Sequence, residues 1–154
     1  MTIAPGAPIE ADDITDLNFR AECIVTRVAL QSIASGGVGT AVSFSAESRD
    51  NDAMWSAGTT VTIQRDGTYD LAGSFIYAGN VTGVRSINVK KNGVVIAENK
   101  RAASTPLQAD PMTVNTTDRF VAGDTVTMFA FHTAGVALDV TVSRLSVVEG
   151  GSGN

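Results

Sequence analysis

Histidine and cysteine occur once each in this chain, as His132 and Cys23. One of each cannot complete the usual zinc ligand set. Any nucleophile and histidine arrangement would have to run through His132, which ends an apolar run with no nucleophile elbow nearby. A lone thiol forms no internal disulfide, and Ile24 and Val25 beside it mark Cys23 as a buried, inert strand residue, so redox chemistry is not expected. Basic residues are sparse and scattered apart from Lys90-Lys91 and Lys100-Arg101, and the formal net charge is -5. No stripe can neutralise a run of phosphates, which argues against nucleic-acid binding. Long apolar runs are missing too, so no membrane insertion is expected. The stretch from Met1 to Pro8 lacks the basic and then apolar layout of a signal peptide, and the expectation is a soluble product made in the cytosol.

What is present is a β-protein composition. The 154 residues suit one domain plus a short appendage, because a compact sandwich takes ~100 to ~150 residues. Hydrophobic residues at 44% against charged ones at 18% exclude general disorder and leave a surface rich in Ser, Thr and Gly. Residues 1–20 stand apart. Ala4-Pro5-Gly6-Ala7-Pro8 is an extended, proline-stiffened lead, followed by acidic Glu10 to Asp13 and then Ile14 and Leu17. This reads as an arm with one helical turn, capped by Asp12 or Asp13.

Beyond the arm the apolar period is two. Ile24, Val28 and Leu30 alternate with polar or small neighbours, as do Val42 and Phe44, and Val61 and Ile63. Arg65-Asp66-Gly67 is a turn, after which Tyr69, Leu71, Phe75 and Tyr77 share one strand face; Ala78 to Gly83 is a loop, and Arg85, Ile87 and Val89 follow on another strand. Lys91-Asn92-Gly93 before Val94-Val95-Ile96 predicts a tight hairpin, since both turn residues tolerate positive φ. Asn99 to Pro111, with two prolines and little alternation, is expected to be a long crossover loop. Thr125 to His132 places Val126, Met128 and Ala130 on one side and Phe129 and Phe131 on the other, so both faces of that strand are expected to be covered. Leu138, Val140 and Val142 lie in one phase and Leu145 and Val147 in the next, as a β-bulge near Ser143 would produce. Residues 150–154 form a tail.

Few residues invite chemistry. Glu47, Asp50 and Asp52 share a loop, and Asp110, Asp118 and Asp124 lie near turns; Ca²⁺ would want such oxygens. Nothing matches an EF-hand, and turn-forming aspartates explain the same positions without a cofactor. Trp55, beside that polar loop, is the aromatic most available to stack on a sugar, whereas Tyr69 and Tyr77 lie in register with core residues. Gly36-Gly37-Val38-Gly39 lacks a Walker lysine and reads as a flexible loop.

Several segments in order resemble one family. Ala41 to Ala46 is similar to the opening strand of the C1q/TNF-like jelly-roll domains, Asp66-Gly67-Thr68-Tyr69 to their Gly-x-Tyr strand start, Lys91-Asn92-Gly93 to their central hairpin, and Ala122 to Val126 to their Gly-Asp-x-Val turn. Asp50 to Trp55 resembles a loop of the phage members. The chain lacks the Phe-Ser-Gly-Phe ending of the animal C1q pattern, which favours the bacterial and phage branch.

The resemblance covers about residues 24 to 149. It implies an all-β fold, an antiparallel β-sandwich of the jelly-roll type with an extended N-terminal arm, divided into an arm (1–20), a jelly-roll domain (21–149) and a tail (150–154). It also implies a non-enzymatic, homotrimeric virion component, located in the phage particle after synthesis in the host cytoplasm. Such a component would serve as capsid decoration, head fibre, or minor tail or fibre protein. Pro5, Pro8, Ile9, Ile14 and Leu17 would anchor it to other virion proteins, and the strand carrying Val126, Met128, Phe129 and Phe131 would supply core and trimer contacts. A host-attachment module binding a cell-surface glycan through Trp55, Asp50, Asp52 and Asn80 is the alternative, and a polysaccharide-degrading enzyme a second one.

Overall fold

The computed structural model describes residues 20–104 and 108–150. The anchor residues Pro5, Pro8, Ile9, Ile14 and Leu17, the expected helical turn and most of the tail lie outside them. Eleven strands run through the described residues, with no helix among them. They are β1 (Glu22–Arg27), β2 (Gln31–Ile33), β3 (Thr40–Ala41), β4 (Ala46–Asp50), β5 (Thr60–Thr62), β6 (Gly67–Tyr77), β7 (Val84–Lys91), β8 (Val94–Ala102), β9 (Asp110–Phe120), β10 (Thr125–His132) and β11 (Leu138–Glu149).

Two antiparallel sheets result. The first has the order β4-β1-β11-β6-β9, with β2 extending the pairing of β11 beyond β1; the second has the order β3-β10-β7-β8, with β5 beside β3 on β10. Alternation makes each sheet one-sided. From β6 come Tyr69, Leu71, Phe75 and Tyr77, from β11 Leu138, Val140, Leu145 and Val147, from β7 Ile87 and Val89, and from β10 Val126, Met128 and Ala130, all buried between the sheets. Each large apolar side chain removed from water in this way stabilises the fold by about 1.5–3 kcal/mol. Edge-to-face contacts join Tyr69 to Phe120 and Phe75 to Tyr77 at 5.7 and 5.1 Å between ring centres.

The expected turns are in place. At the β7–β8 hairpin Asn92 and Gly93 have φ of 50° and 81°, the pair of positive values that a type I′ turn requires. A bulge interrupts the β6–β11 ladder between Thr141 and Arg144, so that two residues of β11 face Phe75 alone and the apolar phase moves by one.

Four local expectations need correction. Both ends of Asn99 to Pro111 are strand, which shortens the expected loop: β8 continues to Ala102 and β9 begins at Asp110. β8 is an edge strand exposed along most of its length, so its sequence carries no alternation to detect. Pro111 is tolerated because β9 is the edge of the first sheet. The Pro111 and Thr113 carbonyls point away from β6 and accept bonds from Arg101 Nη2 and Asn99 Nδ2, each at 2.8 Å. A proline N on that side costs no ladder bond, and the two β8 side chains cap part of the open edge.

The phase of β1 also differs. Its core residues are Ala21, Cys23 and Val25, while Val28 and Leu30 lie beyond its end, 76% and 63% exposed. Pairing with β11 selects that phase where the sequence offers apolar residues in both. Val142 is not in the core with Leu138 and Val140; it sits at the bulge, 53% exposed, with φ of 50°. Finally, β10 is not buried on both sides: Val126 and Met128 point into the core, whereas Phe129 and Phe131 point out of the second sheet and are half-buried.

Candidate functional site

The loop after β4 is organised by Asp50. Its carboxylate accepts the backbone N–H groups of Met54 at 2.9 Å and Trp55 at 2.8 Å, with that of Asp52 at 3.4 Å. The loop thereby drives Met54 into the core and leaves the half-buried Trp55 packed against its margin. Asp52 pairs with Arg65 at 3.2 Å, and Arg65 also reaches Glu149 at 3.5 Å. Both acids are thus engaged in holding the loop. The described residues bring together no group of three or more His, Cys, Asp or Glu able to hold a metal ion. Burial first, then the Asp50 and Glu47 charges, push the Cys23 thiol up from 9.0 to about 12, so it stays protonated near neutral pH.

Asn80 belongs elsewhere. Arg65, the partner of Asp52, precedes β6, and Asn80 follows it. The 11 residues of β6 span about 35 Å at ~3.3 Å per residue. The four residues expected to share a glycan site are therefore split, with Asp50, Asp52 and Trp55 at one end of the sandwich and Asn80 at the other.

At the Asn80 end lies a buried ionic lock. Arg85 is fully buried, donates to the carbonyls of Asn80, Thr82 and Val84 at 2.7, 2.9 and 3.1 Å, and approaches the buried Asp110 at 3.7 Å. Asp110 also pairs with Arg101 at 3.2 Å and accepts from the Ser104 backbone N–H and hydroxyl. His132 lies close by, fully buried, with its ring 5.6 Å from that of Tyr77. Its Nε2 meets the Ile33 carbonyl at 2.9 Å, and Nδ1 accepts the Ala134 N–H at 3.4 Å. Both ring nitrogens are committed to backbone, which leaves neither for a nucleophile.

Two outer faces remain. That of the first sheet is paved with small, mostly uncharged side chains. Ala72, Ser74, Thr113, Asn115 and Ser146 line two adjoining hollows of about 360 and 330 Å³ that share Ala72, Asn115 and Ser146. That of the second sheet carries Phe129 and Phe131, and a lysine covers each: Lys90 Nζ lies 3.7 Å from the Phe129 ring centre and Lys100 Nζ 5.6 Å from that of Phe131. Within one chain, the rings of β10 that the sequence reading assigned to a trimer contact thus lie beneath lysine ammonium groups. Between these groups, Ser86 donates to Glu98 at 2.6 Å, and Asn88, only 7% exposed, has an Oδ1 that meets no donor among the described residues. Sequence reading missed this cluster, because its members lie on three strands paired far apart in sequence. The only local signal was Phe129-Ala130-Phe131.

The architecture is that of the C1q/TNF-like jelly roll. No family profile matches the sequence, and no curated protein matches it either. Solved structures do match in fold. The globular domain of zebrafish complement 1qA protein superposes with a TM-score of 0.64 at 13% identity, covering 87% of this chain and 99% of that one. Murine APRIL gives 0.63 at 13% identity, with coverages of 84% and 98%, and Eiger TNF from S. frugiperda gives 0.59 at 14%, with 88% and 95%.

Proposed function

We propose that this chain is a non-enzymatic structural component of a phage-type virion, assembled as a homotrimer and attached through residues 1–20. The observation that carries the assembly is the outer face of the first sheet. In a jelly roll of this kind one sheet faces the threefold axis. The hollowed, small-residue face around Ala72, Asn115 and Ser146 lets backbones approach closely, and Asp70 there is held by the Thr117 hydroxyl at 2.5 Å. The opposite face is covered by Lys90 and Lys100. This reassigns the expected contact from Phe129 and Phe131 to the first sheet. The virion role is supported by the phage-like motifs and the proline-rich lead, and placement as capsid decoration, head fibre or tail component follows from where residues 1–20 dock.

Light scattering after size exclusion is expected to give the mass of three 15.9 kDa chains. Ala72→Arg and Ser146→Arg, at exposed or half-exposed positions, are expected to yield folded monomers. A wild-type chain that stays monomeric at micromolar concentration overturns the trimer. For the virion role, antibody labelling of purified particles is expected to detect the full chain and to miss a chain lacking residues 1–19; particles without it overturn the assignment.

A further inference from the structure

We propose that Asn92 is a deamidation site in the β7–β8 turn, held in check by a latch of native contacts from Asp124 and Thr125. Among the asparagines of the chain, Asn92 alone precedes a glycine. Gly93 brings no side chain to hinder its own backbone nitrogen, both residues are exposed, and the space where a Gly93 Cβ would sit is open. Sterically the reaction is free to run. In it the Gly93 nitrogen gives up its proton and bonds to Asn92 Cγ, the Cγ–Nδ2 bond breaks, and Nδ2 leaves as ammonia carrying that proton. Water then opens the succinimide ring at one carbonyl or the other, giving aspartate or isoaspartate with no electron transfer.

The restraint lies in the hydrogen bonds of the side-chain amide. Asn92 Nδ2 donates to Asp124 Oδ1 at 2.7 Å, while its Oδ1 accepts from the Thr125 N–H at 2.9 Å and the Thr125 hydroxyl at 3.3 Å. The Asn92 N–H donates to the Thr125 carbonyl at 3.0 Å, so main chain and side chain are tied to the same short segment. Asp124 is itself fixed, accepting from the Val121 N–H at 3.0 Å and lying 3.6 Å from Lys91 Nζ. Its carboxyl is held below the usual range, first by the Asn92 amide, and so stays an ionised acceptor. Ring closure rotates the Asn92 side chain, makes Cγ tetrahedral and expels Nδ2, all of which these bonds resist. Cyclisation therefore waits for the latch to open.

The product fits the turn less well than the amide does. Either acid carries a charged oxygen in place of Nδ2, a like charge facing Asp124. Isoaspartate also lengthens the main chain by one carbon, in a turn whose two residues hold φ of 50° and 81°. Loss of ammonia makes the change one-way, so each chain that opens here and reacts is left with a weakened hairpin.

The test incubates the full chain in mildly alkaline buffer, native and in urea, beside a free peptide of residues 89–96, with conversion read by peptide-mapping mass spectrometry and isoaspartate detection. Asn92 is expected to convert in the peptide and in the unfolded chain, and at least about tenfold more slowly in the native one, as an open population of about a tenth or less implies. Asp124→Ala is expected to raise the native rate several-fold. Asn92→Asp, which stands in for the product, is expected to raise the pH at which the Asp124 carboxyl titrates by NMR and to lower the urea midpoint. Hydrogen exchange of the Asn92 amide gives the open population in the wild-type chain, and conversion is expected to follow it even where Asp124→Ala does not fold. Native conversion as fast as the peptide's, no conversion in the unfolded chain, conversion that ignores the open population, or a folded Asp124→Ala chain that converts no faster overturns the proposal.

Discussion

Lys90 Nζ stands 3.7 Å above the ring centre of Phe129, across the β7–β10 ladder from its strand neighbour Thr127. The same device recurs at Lys100 over Phe131 and, at 4.6 Å, Lys91 over Phe120, so every lysine in the chain covers a phenylalanine. Rings that would otherwise meet water gain a cation and an aliphatic stem. Lys90→Ala is expected to lower stability by about 0.5–1 kcal/mol, and Lys90→Arg to retain it; urea unfolding of the two variants distinguishes them.

Arg85 and Asp110 are both fully buried, and removing Asp110 leaves the Arg85 cation with neutral backbone carbonyls as partners, whereas Asp110 without Arg85 still has Arg101. Asp110→Ala is expected to cost about 3–5 kcal/mol. Arg85→Met combined with Asp110→Leu is expected to cost less than the sum of the single changes, though the carbonyls of Asn80, Thr82 and Val84 still lose their donor. A double-mutant cycle by chemical denaturation measures the coupling, and strict additivity would contradict the lock.

Val142 holds a φ of 50° at the β11 bulge, where a β-branched side chain is strained. That geometry costs ~1–2 kcal/mol, against ~0.5–1 kcal/mol for the greater freedom glycine loses on folding. Val142→Gly is therefore expected to stabilise the chain by about 0.5–1 kcal/mol, read as a higher melting temperature.

Alkali is expected to weaken the fold. The Cys23 thiol ionises near 9.0 when unfolded but only at about 12 in place, so between those values the unfolded chain has released a proton that the native one keeps. Stability then falls as pH rises from about 9, and it is unaffected by this group below that. Burial raises the Tyr77 and Tyr69 hydroxyls as well, which extends the loss to higher pH. Cys23→Ala is expected to flatten the first part of the decline in urea midpoints measured from pH 7 to about pH 10.5.

Several features were legible because they are local. Alternation in β6 and β10, the Asn92-Gly93 turn and the phase slip near Ser143 all follow from φ preferences and a side-chain period of two. The start of β8 at Val94 was legible from the hairpin, but its continuation through Asn99 to Ala102 was not, because an edge strand buries little and so shows no pattern. The phase of β1 was ambiguous because Ile24 and Val25 are both apolar, and only pairing with β11 chose between them.

The amino-acid sequence by itself determined the class: short alternating strands, glycine turns at the right intervals, and one histidine and one cysteine with which to build chemistry. Tertiary structure decided which surfaces remain. It split Asp50, Asp52 and Trp55 from Asn80, committed His132 to backbone, and folded Lys90 and Lys100 over Phe129 and Phe131. The reason is physical. Strand formation depends on residues one or two positions apart, whereas a site depends on which strands become neighbours, and cross-strand pairing joins residues distant in the chain.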